Sequence, residues 1–205
     1  QNSGTTLELF SSFFFDSVNI ITVGDGGIIL KTTNGGVNWN NVSPGSRINY
    51  TSSCFINENT GYVSGDWTVK KTTNGGVNWV EKWDSAGNRV NLLSFIDANT
   101  GWGAPPVANS EFVPIYKTTN GSDNWFKVGT INTNLGMPAI TESYLYSISF
   151  INSNTGWACG AAHWWIPQYG NGYYGILCKT TDGGLNWVTN EISSSYAYDI
   201  KFIDI

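Results

Sequence analysis

Apolar and polar positions between Asn49 and Trp83 fall into four short strands. Residues Asn49 to Ile56 alternate and are largely apolar, which predicts a half-buried strand A. Asn57-Glu58-Asn59 reads as a turn, Thr60 to Ser64 as strand B, and Gly65-Asp66 as a tight turn. Strand C follows at Thr68 to Thr72. Asn74-Gly75-Gly76 marks a turn that needs positive φ, which Gly and Asn supply at little cost, and strand D spans Val77 to Trp83. The same plan recurs with C strands near Ile28, Pro114 and Ile176.

Recurrence is also visible letter by letter. The nonapeptide Lys31-Thr-Thr-Asn-Gly-Gly-Val-Asn-Trp39 returns unchanged at Lys71 to Trp79. It returns again as Lys117-Thr-Thr-Asn-Gly-Ser-Asp-Asn-Trp125 and Lys179-Thr-Thr-Asp-Gly-Gly-Leu-Asn-Trp187, giving Trp-to-Trp spacings of 40, 46 and 62. A second motif precedes the later copies: Cys54-Phe-Ile-Asn-Glu-Asn-Thr-Gly-Tyr62, Ser94-Phe-Ile-Asp-Ala-Asn-Thr-Gly-Trp102 and Ser149-Phe-Ile-Asn-Ser-Asn-Thr-Gly-Trp157. A degenerate version begins at Phe14, and another starts at Lys201-Phe-Ile-Asp204. Four antiparallel strands per period of about 40–45 residues is the arithmetic of a propeller blade. A sandwich would not repeat its turn chemistry in phase. The expectation is therefore an all-β propeller of four-stranded antiparallel blades at about 8–43, 48–84, 89–130 and 143–191, with 196–205 supplying the first strand of a fifth. The chain opens on Gln1 and stops at Ile205 within a motif, so it reads as a trimmed segment of a larger ring. An open arc would expose sheet faces at both ends, and further blades of the same chain or a partner chain are expected to cover them. A compact ring of four or five blades, with the termini sharing one blade, is the alternative.

The nonapeptide has its own physical logic. Thr32 and Asn34 can satisfy backbone groups that a tight loop leaves free, Gly36 takes a conformation other residues avoid, and Trp39 folds back as an apolar plug. Thr72, Asn74, Gly76 and Trp79 repeat this set, as do Thr118, Asn120 and Trp125, and Thr180, Asp182, Gly184 and Trp187. Ser122 replaces the glycine in the third copy, which predicts a distorted turn and a weaker third blade.

Composition sharpens the picture. Aromatics are 15% of the chain and charged residues 12%, against an ordinary charged share of about 25%, so the chain is neither disordered nor helix-rich. No stretch approaches the ~18 apolar residues of a membrane span, so membrane insertion is not expected. The net charge is -5 and no basic stripe exists, which argues against nucleic acid. Cys54, Cys159 and Cys178 show no metal-ligand spacing. Cys159 and Cys178 flank one insertion, and pairing and separate burial stand as equal readings. Neither a metal nor a cofactor is expected.

The Thr-x-(Asn/Asp)-x-Gly-x-Asn-Trp turn resembles the Asp-box, or BNR repeat, of sialidases and related propellers. Together with Phe-Ile-Asp-x-Asn-Thr-Gly-Trp it is similar to the Ycf48-like photosystem II assembly-factor family and to secreted Asp-box propellers common in Bacteroidota. The resemblance runs from about residue 8 to 205 and implies a propeller, a role in holding or assembling another protein, and an extracellular or periplasmic bacterial location. Sialidase chemistry in that superfamily uses three arginines, whereas this chain has only Arg47 and Arg89. A glycosidase of the xyloglucanase type would need two carboxylates roughly 5–9 Å apart; Asp25, Asp66 and Glu111 are the candidates, each also readable as a turn or solvated residue.

In a propeller the A–B and C–D turns share one face, and the B–C and D–A connections share the other. The nonapeptide turns are thus structural, and the variable connections carry function. Blade three has a B–C insertion from Pro105 to Glu111, and blade four a larger one from His163 to Tyr174. The latter reads as a loop presenting His163, Trp164, Trp165, Tyr169, Tyr173 and Tyr174, either to a partner or as a cap on the channel. The long D–A connection at Gly136-Met-Pro138 lies on the same side, with Arg47, Arg89, Asp66 and Glu111. The expected activity is non-catalytic binding of a protein partner. A carbohydrate-active module is the first alternative, with a glycan as ligand, and a subunit of a multimeric extracellular structure the second.

Overall fold

The structure, a computed structural model, describes residues 2–82, 89–137, 139–167, 170–193 and 196–200. Four antiparallel blades form a β-propeller. Blade one comprises β1 (Leu9–Phe14), β2 (Ile20–Gly24), β3 (Ile29–Thr32) and β4 (Asn40–Asn41); blade two β5 (Ser52–Phe55), β6 (Gly61–Gly65), β7 (Thr68–Thr72) and β8 (Val80–Lys82). Blade three holds β9 (Leu92–Phe95), β10 (Gly101–Ala104), β12 (Phe112–Thr118) and β13 (Phe126–Asn132). Blade four holds β14 (Ile140–Phe150), β15 (Gly156–Ile166), β16 (Gly170–Thr180) and β17 (Val188–Ser193). The two-residue β11 (Val107–Ala108) leaves blade three's insertion and pairs with Ser143 and Tyr144 of blade four.

Each A–B turn is set by an Asx side chain. Asn57 Oδ1 accepts the N–H groups of Asn59 and Thr60, and Asp97 and Asn152 repeat the arrangement. The following glycine has a steric reason. Phe95 pairs directly with Gly101, and a Cβ there would lie 2.5 Å from the Phe95 ring. The same holds for Phe55 with Gly61 and Phe150 with Gly156. The motif thus gives a bare backbone on which a phenyl ring lies.

That ring is the joint between blades. Tyr62 of blade two stacks on Phe95 of blade three at 3.8 Å, and Trp102 of blade three stacks on Phe150 of blade four at 4.0 Å. The box tryptophan of the same blade closes the other side edge-on: Trp125 on Phe95 and Trp187 on Phe150. Trp79 does the same to Phe55, where Ile21 of blade one belongs to the same apolar cluster. Phe55, Phe95 and Phe150 are buried, whereas Phe14, the matching residue of blade one, is 63% exposed.

Strands start and stop differently from the pattern in the sequence. β8 begins at Val80 because the box turn continues through Asn78, whose N–H bonds back to Asn74. β5 begins at Ser52 because Tyr50 N–H bonds to Gly24 of blade one instead. The largest correction concerns blade four. The segment from His163 to Tyr174 is not a free loop: through Ile166 and from Gly170 it continues β15 and β16 as a hairpin, paired from Ala162–Tyr174 to Ile166–Gly170. β14 extends alongside, with Ile140 opposite Trp164. Ser122 also departs from expectation. It sits at φ 72 with the box bonds intact, and its Oγ accepts the Trp125 indole N–H at 2.9 Å, so the third turn is not distorted.

All three cysteines are free thiols. Cys178 pairs across from Ala158, so the side chain of Cys159, one residue on, points to the opposite sheet face and no bridge can form. Burial pushes Cys54 and Cys159 up to about 11 and Cys178 up to about 12, which keeps them protonated.

Candidate functional site

The two faces of the propeller differ in what their side chains do. On the A–B/C–D face the four boxes are closed hydrogen-bond circuits. Thr32 Oγ1 donates to Asn34 Oδ1 and accepts from Gly36 N–H, and Asn38 N–H bonds to Asn34 Oδ1. Thr72 with Asn74 and Gly76, Thr118 with Asn120 and Ser122, and Thr180 with Asp182 and Gly184 repeat it. Each box also bonds its own A–B turn, as Gly75 N–H does to Asn59. Neighbouring blades are tied at the same level: Lys31 Nζ donates to Gly75, Lys71 Nζ to Ala98, and Trp102 Nε1 to Gly183. Trp79 reaches back to the Val42 carbonyl, while Trp39 lies half-buried on blade one. Asp182 is held below the usual carboxylate range by the Asn186 N–H first, then the Asn186 and Thr180 side chains.

On the B–C/D–A face, several expected site residues are occupied in structure. Asp66 and Trp67 form a two-residue hairpin with φ 45 and 63, and Asp66 Oδ2 accepts Asn49 N–H at 3.0 Å. Trp67 N–H bonds Asn91 Oδ1, and the exposed Arg89 guanidinium lies 4.1 Å over the Trp67 ring. Glu111 accepts Asn134 Nδ2 at 2.7 Å, which fastens the insertion of blade three to the D–A connection. Arg47 is exposed in the connection between β4 and β5. These four are therefore spread along connections of different blades.

Blade four gathers the aromatics, but not all point outward. Tyr174 is buried, and its hydroxyl donates to the Thr133 carbonyl at 2.7 Å, so it anchors the D–A connection and is not available to a partner. Trp164 packs partly buried against the blade three–four core and covers Gly172, where a Cβ would meet its ring at 2.5 Å. His163 and Trp165 alternate to the opposite side. Trp165 is 48% exposed and Tyr173, paired with His163, is 39% exposed. The His163 ring stacks on Tyr173 at 4.4 Å; its Nδ1 lies 2.9 Å from Thr141 Oγ1 and 3.9 Å from Glu142 Oε2. His163 Nε2 is buried without a hydrogen-bond partner. Tyr169 and Pro138 lie outside the described residues.

The structure adds four tyrosines that loop reasoning missed. Tyr144 and Tyr146 on β14 stack at 6.3 Å, and Tyr196 and Tyr198 pack on Tyr146 at 6.2 and 5.1 Å. Tyr196 also meets Tyr173 at 5.2 Å, which joins the cluster to His163. The Tyr144 hydroxyl donates to Glu142 Oε2 at 2.5 Å, and this bond to a carboxylate pushes Tyr144 up to about 12. Alternation along Tyr144–Leu–Tyr146 was the available signal; the partner rings arrive from far along the chain. A channel cavity of about 720 Å³ lies between the four inner strands and residues 198–200, lined by hydroxyls such as Ser11, Ser52, Ser94 and Ser147. Among the described residues no His, Cys, Asp and Glu group could hold a metal ion, and no helix is long and apolar enough to cross a membrane.

No protein-family model matches the chain, and no curated protein matches it. Solved propellers do. YCF48 bound to D1 peptide is 17% identical over 90% of this chain and 81% of that one, with TM-score 0.51. YCF48 from Cyanidioschyzon merolae is 17% identical over 97% and 91%, with TM-score 0.55. An ancestral GH74 enzyme is 18% identical over 89% of this chain but 25% of its own, with TM-score 0.57. At these identities the likeness establishes the shared β-propeller fold.

Proposed function

We propose that this chain is a non-catalytic, Ycf48-like Asp-box propeller that binds a protein partner on its B–C/D–A face, in an extracellular or periplasmic setting. The observation that carries this reading is the blade-four extension. Three hydrogen-bonded strands project past the blade and hold Trp165 and Tyr173 half-exposed on a stiff scaffold. Aromatic side chains with few rotatable bonds, held on rigid elements, are typical binding anchors. Polypeptide binding suits the fold, since YCF48 has been solved bound to D1 peptide.

A carbohydrate-binding or glycosidase reading draws on the GH74 likeness, which covers a quarter of that enzyme. Against it, Asp66 and Glu111 each accept a hydrogen bond from a neighbouring turn. The test is a photo-crosslinking residue at position 165, with one at position 77 on the box face as control. A discrete protein adduct at 165 alone supports the proposal. Retention on a polysaccharide column that Trp165→Ser and Tyr173→Ser abolish, with no protein adduct, would replace it by the carbohydrate reading.

A further inference from the structure

We propose that the blade-four extension holds its partner by strand addition: an extended polypeptide segment pairs with the outer edge of β16 at Gly170 to Tyr174. This inference rests on the protein-binding reading above and names how the partner is held.

The edge follows from the register. β17 pairs with β16 only from Gly175 onward, so the projecting part of the extension ends on β16. On the far side of β15 the Trp165 N–H turns to the Ala139 carbonyl. Alternation along the hairpin then leaves Asn171, opposite Trp165, and Tyr173, opposite His163, with their backbone N–H and C=O groups facing away from β15. Among the described residues nothing bonds to those groups.

Two comparisons within the chain mark this edge as a docking site. The outer edges of the blades are short or carry charge, which discourages stray pairing: β4 has two residues, β8 carries Glu81 and Lys82, β13 Lys127 and β17 Glu191. The Gly170-Asn-Gly-Tyr-Tyr174 edge carries neither charge nor proline. The opposite edge of the extension is already capped by an added strand. β11 comes from blade three and pairs with Ser143 and Tyr144 of β14, and Leu145 N–H bonds the Pro106 carbonyl. β16 offers the same kind of edge to a chain from outside.

The occupant is an extended segment of another protein. Strand addition draws affinity from main-chain bonds and specificity from alternate side chains. Side chains on one face of the added strand lie beside the half-exposed Tyr173, and those on the other beside Gly172, on the side of the Trp164 ring. Alternating β-branched and aromatic residues suit both faces. Two copies of this chain meeting edge to edge would share only the rows from Gly170 to Tyr174, against roughly 20–30 residues a side in a stable interface, so a second copy is not the occupant.

The probe is a fluorescein-labelled peptide, Lys-Thr-Val-Tyr-Val-Thr-Lys, with the same peptide N-methylated at its central residues as control, read by fluorescence polarisation. The unmodified peptide is expected to bind at least about tenfold more tightly. Asn171→Pro deletes an outward N–H that β15 does not use, so the hairpin ladder survives while binding weakens at least about fivefold. Asn171→Ala keeps the N–H and binds as wild type does. Hydrogen exchange on the wild type reads the edge directly: the Asn171 and Tyr173 amides slow at least about tenfold when the peptide is added, and the Gly172 amide, which faces β15, changes little. Equal binding of the two peptides, no binding of either, full binding by Asn171→Pro, or unchanged exchange at both amides overturns the inference. So does a dimer in which both amides are already protected without peptide, which assigns the edge to a second copy. The position-165 adduct is read on the same preparation. If it forms while strand pairing fails, strand addition falls and the docking face stands; if neither appears, both fall.

Discussion

The box turns and the blade-four extension are built on the same strands and behave in opposite ways. Box side chains bond inward, to their own turn or the next blade, and what they leave in solvent is scattered, such as Val37 and Val77. The extension places aromatic rings in mutual contact and leaves their faces open. A repeated motif can therefore be invariant in letters because its side chains are consumed by structure. The segment that breaks the repeat has side chains to spare, which is why it is the better place to look for binding.

The comparison breaks first at the joints. Phe95→Ala removes a ring held between Tyr62 and Trp125 and should cost about 3–5 kcal/mol in chemical unfolding. Phe14→Ala, at the matching but exposed position, should cost under about 1 kcal/mol. Equal costs would mean that the stacked rings do not hold the blades together. Thr118→Val keeps the shape of a box residue and deletes its hydroxyl, leaving the buried Ser122 N–H without its acceptor, so a loss of about 1–3 kcal/mol is expected. Trp165→Ser should change stability by no more than about 0.5 kcal/mol while abolishing capture of the partner that the position-165 adduct identifies. A large destabilisation would recast Trp165 as a structural residue.

The smallest effect separates one box from the other three. Asp182 is depressed in the folded chain, so its stabilising contribution is complete above its ordinary value of 3.8 and is lost as pH falls through the lowered native value. Asn34, Asn74 and Asn120 hold the same place and do not titrate. The difference between wild type and Asp182→Asn in thermal midpoint should be flat above about pH 4 and shrink below it.

Much of this fold is legible in the sequence because it is encoded locally. The Thr and Asx of each box bond within four residues, and the Phe–Gly pair spans a single turn. The extension was illegible for a local reason too. Trp164-Trp165, Pro167 and two glycines suggest a loop, yet Gly172 is glycine because the Trp164 ring lies across it in a strand. The tyrosine cluster escaped because its halves come from β14 and from residues 196–198, and only the third dimension joins them. Tyr174 and Trp164 resemble their neighbours by type, and strand alternation alone decides that they turn inward.

The most direct test of the central claim compares capture of the adduct partner by two double variants of equal design. Trp165→Ser with Tyr173→Ser removes exposed rings from the extension, and Val37→Ser with Val77→Ser removes exposed apolar groups from the box face. The first variant is predicted to lose the partner and the second to bind as wild type does. Retention by the first, or loss by the second alone, would contradict the assignment of binding to the extension.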